Sequence, residues 1–123
     1  MTISADDFCE FADEIMEIGQ QNKKEIYFRN VASRAYYCAY HQCVNLLIRK
    51  YGFQVPKEDS HQEVIRKLQQ QDLDDLADLL SRMKNLRKIA DYELENTFTE
   101  RDATQSLWYA QEVADRIKNV VNS

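Results

Sequence analysis

An all-α fold, an up-and-down bundle of about five helices, is the class this 123-residue sequence predicts. Three observations carry the prediction. Only two glycines (Gly19, Gly52) and one proline (Pro56) occur, too little turn punctuation for an all-β fold. Leu, Ala, Glu, Lys, Gln and Arg are plentiful, and apolar residues return every three or four positions. Just one clear loop, GFQVPKED, interrupts the pattern. The length suits a single domain over 1–123 with one core.

The first helix, about residues 4–20, opens on Ser4 with Asp7 three residues later and carries Phe8, Phe11, Ala12, Ile15, Met16 and Ile18 up to Gly19. After the polar break GQQNKK, a longer helix runs from about Lys24 to Tyr51. Arg49 and Lys50 suit its last turn, and Gly52 with Pro56 stops it. Ser60 and Glu63 read as a capping box opening a short third helix with Val64, Ile65 and Leu68 inside. Asp72 begins the fourth, DLDDLADLLSRMKNLRKIADYELE, whose apolar face is Leu76, Leu79, Leu80, Met83, Leu86, Ala90 and Leu94. Thr99 and Asp102 start the fifth, with Ala103, Leu107, Ala110, Ala114, Ile117 and Val121 as its stripe and Trp108 and Tyr109 beside it.

Charge and cysteine usage narrow the function classes. A net charge of −5, with no like-charge block, argues against broad coating of nucleic acid while leaving room for a local basic site. The N-terminus MTISADDFCEFADE has acids where a signal peptide needs bases and an apolar run, and no stretch is long and apolar enough to span a bilayer, so a cytoplasmic location is expected. Cys9, Cys38 and Cys43 are odd in number and lack zinc-site spacing, which predicts reduced, mostly buried thiols and no bound metal. No P-loop, dinucleotide fingerprint, nucleophile elbow, HExxH or EF-hand pattern occurs, and no cofactor is expected.

Two polar intrusions into apolar helix faces are the candidate chemistry. In NVASRAYYCAYHQCVNLL, with Arg34 at zero on the helical wheel, Asn30 falls at about −40°, Cys38 about +40°, His41 about −20° and Asn45 about +20°. The rest of that surface is almost wholly apolar, as in a buried helix. Arg34 and His41 stand roughly 10 Å apart along the axis, within reach of one small ligand. The plainer alternatives are a wet seam, or an Arg34 paired with a carboxylate from another helix. Arg87 projects from the apolar face of the fourth helix, where a guanidinium must either pair, with Asp91 at i+4 the obvious partner, or line a wet cleft. Tyr92 follows close by. If the second and fourth helices pack together, both intrusions share one cleft. His61 reads as a surface or capping-turn histidine.

SRAYYCAYHQCVNLL, SHQEVI and LRKIADYEL, in that order, resemble the motifs of small bacterial HEPN-domain proteins, with the resemblance running from about Phe28 to Val121. It implies a helical bundle that usually dimerises. Active HEPN domains carry an arginine and a later histidine with four to six residues between them, as Arg34 and His41 have six, and many are metal-independent ribonucleases. The resemblance therefore implies Arg34 and His41 as catalytic residues with Arg87 as a second phosphate clamp, and the two polar intrusions add Asn30, Asn45, Asp91 and Tyr92 as supporting residues. Histidine would serve the 2′-hydroxyl proton transfer and arginine the charge building on phosphorus. On the later helix, where the active motif is usually expected, Tyr92 stands in the histidine position after Arg87. Two functions follow: an RNA-cleaving toxin or defence effector with a site composed across a homodimer, or a non-catalytic HEPN module that dimerises and binds a partner such as a minimal nucleotidyltransferase or antitoxin.

Overall fold

In the computed structural model, which describes residues 3–123, the chain forms five helices: α1 (Ala5–Asn22), α2 (Glu25–Tyr51), α3 (Ser60–Gln70), α4 (Asp74–Tyr92) and α5 (Glu100–Asn122). They pack as an up-and-down bundle in which α2 touches each of the other four. Its middle explains why. Val31, Ala35, Tyr36, Cys38, Ala39, Cys43 and Leu47 are all fully buried, and the alanines among them let neighbouring helices approach closely. No helix among the described residues is long and apolar enough to cross a membrane.

The ends of the helices follow local chemistry. At Ser4 the backbone N–H donates to the Asp7 carboxylate at 2.7 Å, and at Thr99 the N–H donates to Asp102 at 2.9 Å while Thr99 Oγ1 accepts from the Asp102 N–H at 3.2 Å. Lys23, left-handed at φ 57°, turns the chain sharply from α1 into α2. Gly19 lies where the two helices are closest. A Cβ there would sit 3.0 Å from both the Phe28 ring and Tyr27 Cβ, so only glycine permits this approach without displacement.

Several sequence expectations are corrected. The capping box at Ser60 does not form, because Asp59, at φ 53°, occupies the cap and Ser60 is already helical; the Glu63 carboxylate pairs with Arg66 instead. Helix α4 starts at Asp74 rather than Asp72, since Asp72 takes a left-handed turn and the Leu73 N–H closes back onto Leu68 at 2.9 Å. It stops at Tyr92, leaving Leu94 outside the helix and 70 % exposed. In α5 the buried stripe is rotated so that Val113 and Val120 face inward and Val121 faces out. Nor are all three cysteines thiols. The packing of α1 on α2 brings Cys9 and Cys38 to a Cα separation of 5.3 Å, and they form a disulfide. Cys43 stays a buried thiol, its pKa pushed up to about 12 by burial.

What stops α4 is Arg29, near the start of α2 and only 5 % exposed. Its Nη1 donates to the carbonyls of Ile89 and Ala90 at 3.0 Å each and of Glu93 at 3.3 Å, and its Nη2 to that of Asn96. Its Nε meets Glu25 at 2.8 Å, and the guanidinium lies over the Phe98 ring, 5.8 Å from the centroid. The Ile89 and Glu93 carbonyls also accept from the Glu93 and Asn96 N–H groups, at 3.1 and 3.2 Å, so Arg29 adds a second donor to them, and a cation there meets the negative end of the helix dipole. Arg29→Ala should cost on the order of 3 kcal/mol in urea unfolding, with Arg29→Lys recovering only part, since one ammonium lacks the planar fork that serves so many acceptors. A loss below about 1 kcal/mol would show that the carbonyls find other partners.

Candidate functional site

Four rings of the α2 middle, Tyr36, Tyr37, Tyr40 and His41, meet side chains arriving from α1, α3 and α4. The first turn of α3 lays His61 against them, its ring stacked 4.1 Å from that of Tyr40 and 5.5 Å from that of Tyr36. The Tyr36 hydroxyl hydrogen-bonds His61 Nδ1. His41 meets Tyr40 edge-on at 5.2 Å and stacks on Phe8 of α1 at 5.4 Å. Tyr37 borders both histidines, 6.5 Å from His41 and 6.3 Å from His61.

From α4 comes Arg87, whose guanidinium carbon lies 5.6 Å from the Tyr36 ring, 5.7 Å from Tyr37 and 5.6 Å from Tyr92. Such faces attract a cation and offset part of the cost of removing it from water. The side chain is 13 % exposed, and its Nε is buried without an acceptor. Its carboxylate partner is Asp91, at 3.6 Å, which also accepts from Ser33 Oγ at 3.3 Å. The geometry gives Arg87 the pairing with Asp91 and packs its guanidinium against the tyrosines of α2.

Burial sets the electrostatics. It lowers the pKa of His41 below the usual imidazole value, and that of His61 as well, where the positive charges of Arg87 and Lys84 and the neighbouring His41 add to the effect. Burial also raises the Tyr36 pKa, against the pull of Arg87. Both shifts favour the neutral form of the imidazoles. Neutral imidazoles beside a fixed guanidinium are the groups needed to move a proton and to neutralise charge building on a phosphoryl group.

The polar stripe of α2 is divided by its neighbours. The start of α1 lies along it: Phe8 on His41, Cys9 bonded to Cys38, and Asp6 3.5 Å from the Gln42 amide. Asn30 donates back to the Ile26 carbonyl at 2.9 Å. Arg34, half-buried, lines a hollow of about 250 Å³ with Ile3, Asp7, Phe8 and Phe11; its Nε has no acceptor, and it makes no ion pair among the described residues. Asn45 is exposed on a separate groove of about 630 Å³ beside Arg49 and Ile117. So Arg34 and His41 both border Phe8; His41, His61 and Arg87 meet the tyrosines of α2, and Asp91 and Tyr92 lie against Arg87.

Tyr36 and Arg29 escaped the sequence reading, and His61, read there as a surface or capping-turn histidine, stacks on Tyr40 and bonds Tyr36 from the first turn of α3. For Arg29 a signal existed: it falls on the same wheel face as Tyr36, Tyr40 and Leu47, a charge amid core positions just like Arg87. His61 gives no such sign, because what makes it part of the cluster is the docking of α3 on α2 and α4.

Comparison with known proteins agrees with this architecture. The family model described as HEPN domain matches residues 5–120. No curated protein and no solved structure gives a significant match. With four helices around a tyrosine-rich central one, and that match over almost the whole length, the chain belongs to the HEPN family.

Proposed function

We propose that this HEPN-domain protein is a metal-independent endoribonuclease of the toxin or defence type, acting in the cytoplasm as a homodimer. The observation that carries the reading is the convergence of His41, His61 and Arg87 on one shell of tyrosines. His41 takes the proton of a ribose 2′-hydroxyl as its oxygen bonds to the adjacent phosphorus. The bond from phosphorus to the 5′ oxygen breaks, and that oxygen takes a proton from water. Arg87 neutralises the charge on the phosphoryl oxygens, and Arg34, bordering Phe8 as His41 does, holds a neighbouring phosphate of the strand. Asn30 and Asn45 contact the strand further along α2, Asp91 orients Arg87, and Tyr92 offers a stacking face beside it.

Exposed Tyr92, 71 % accessible where active relatives are expected to carry histidine, favours a second reading: a non-catalytic module that dimerises and binds a partner such as a minimal nucleotidyltransferase in a toxin–antitoxin system. Cleavage of RNA in EDTA separates the two. On the first reading, His41→Ala lowers the rate by about 10²-fold or more, and Arg87→Ala by a comparable factor, while both variants keep the helical circular-dichroism signal. Undiminished cleavage in folded His41→Ala would remove His41 from the mechanism.

Because the base must be unprotonated, the rate rises as pH passes through the His41 pKa and then levels. With that pKa lowered by burial, the midpoint of the rise should lie below 6.5 in kcat/KM against pH. A midpoint above 6.5 would assign the rise to another group. Sedimentation at micromolar concentration should give a dimer, consistent with exposed Ile26, Trp108 and Leu94 on the isolated chain. A monomer would exclude a site built across two copies.

A further inference from the structure

The Tyr36 hydroxyl is buried at the heart of the bundle, and its hydrogen bond to His61 Nδ1 is the one it makes among the described residues. Two arrangements of protons are open to the pair. If Nδ1 carried the hydrogen, the hydroxyl would accept it, and the phenolic proton would be left buried without an acceptor, a cost of about 1–3 kcal/mol. If the hydroxyl donates, Nδ1 is the acceptor and nothing is left unsatisfied. Burial, which holds Tyr36 far from ionising, keeps that proton available for donation.

We infer that Tyr36 locks His61 as a neutral imidazole with its hydrogen on Nε2, making His61 a fixed hydrogen-bond donor that forms, with Arg87, an oxyanion-binding pair for a phosphoryl group, and leaving His41 as the base. This assignment deepens the ribonuclease reading and rests on it for the identity of the phosphoryl group as an RNA phosphate. Tyr36 is a positioning residue here, since it acts only through His61.

The surroundings of His61 oppose its protonation from each side. From α2 come the hydroxyl of Tyr36, donating into Nδ1, the rings of Tyr37 and Tyr40, and His41. From α4 come Lys84 and Arg87, both cationic; the carboxylate of Asp91 is engaged with Arg87 and Ser33. Adding a proton to Nδ1 would turn the phenolic hydrogen away from its acceptor and place a third cation beside Lys84 and Arg87. A neutral Nε2–H avoids both costs and still donates. Near a phosphoryl oxygen such a donor strengthens as charge develops, without competing with Arg87 for a counter-ion.

Only two histidines occur, so nitrogen-15 labelling of histidine and long-range proton–nitrogen correlation spectra, assigned with His41→Ala, resolve each ring. The expected spectrum shows His61 with an unprotonated Nδ1 and a protonated Nε2, and as the pH is lowered it shows His41 taking up a proton before His61 does. Tyr36→Phe, which removes one oxygen and keeps the ring, should release the lock, so that His61 shows mixed tautomers. Inorganic phosphate should shift the Nε2 signal in the wild type and not in Arg87→Ala. A His61 with its hydrogen on Nδ1, a His61 pKa at or above that of His41, or a spectrum indifferent to Tyr36→Phe would each overturn the assignment. Failure of the ribonuclease reading looks different: the tautomer and phosphate shift are as described, but no RNA is cut.

Where RNA is cut, His61→Gln supplies a neutral amide donor without acid or base chemistry. It should stay within about tenfold of wild type while His61→Ala falls about 10²-fold. Equal losses in the two variants would contradict a donor role for His61.

Discussion

The guanidinium of Arg29 ties the beginning of α2 to the end of α4, the helix that carries Arg87 to the tyrosines of the candidate site. Four backbone carbonyls, a carboxylate and an aromatic face surround one buried cation. A buried charge is costly unless its hydrogen bonds are nearly complete, and here all three guanidinium nitrogens are engaged. The geometry is correspondingly demanding. It ends α4 at Tyr92 and fixes how far α4 has slid along α2, which in turn sets Arg87 over Tyr36 and Tyr37 rather than a turn to either side.

Arg87 is held on different terms. Three aromatic faces and one ion pair of 3.6 Å leave its buried Nε without an acceptor, so part of its hydrogen-bonding capacity is unspent. A completed network such as that of Arg29 suits a structural clamp, whereas an incomplete one beside neutral histidines suits a group that gains a partner when an anion arrives. The tyrosines serve both needs. Their rings fill the volume between α2, α3 and α4, and the same burial lowers the histidine pKa values and keeps the Tyr36 hydroxyl protonated.

Much of the fold was legible in the sequence because it rests on local chemistry: the Ser4/Asp7 and Thr99/Asp102 pairs, Gly52 in a left-handed C-cap and the unbroken apolar surface of α2. The site was legible only in part. A helical wheel places Asn30, Arg34, Cys38, His41 and Asn45 on one face but cannot say which helix covers it, and α1 does so at Phe8 and Cys9. Pairings between distant residues leave no trace in spacing: Cys9 with Cys38, Arg29 with the carbonyls around residue 90, His61 with Tyr36. Arg87 could be found because a charge on an apolar face is conspicuous within one helix, and so could Arg29 by the same criterion. Leu94 was misplaced for a related reason, since its periodicity continues past the point where Arg29 ends the helix.

On the proposed reading these groups promote attack of a ribose 2′-hydroxyl on its own phosphate, with His41 taking the hydroxyl proton and Arg87 meeting the charge without a metal. The most direct test is the chemistry of the new ends when RNA is incubated with the protein in EDTA. Attack by the 2′-oxygen yields a 2′,3′-cyclic phosphate on one fragment and a free 5′-hydroxyl on the other, and mass spectrometry of the fragments should find both. Fragments bearing 5′-phosphate and 3′-hydroxyl ends, or RNA left intact, would contradict the account.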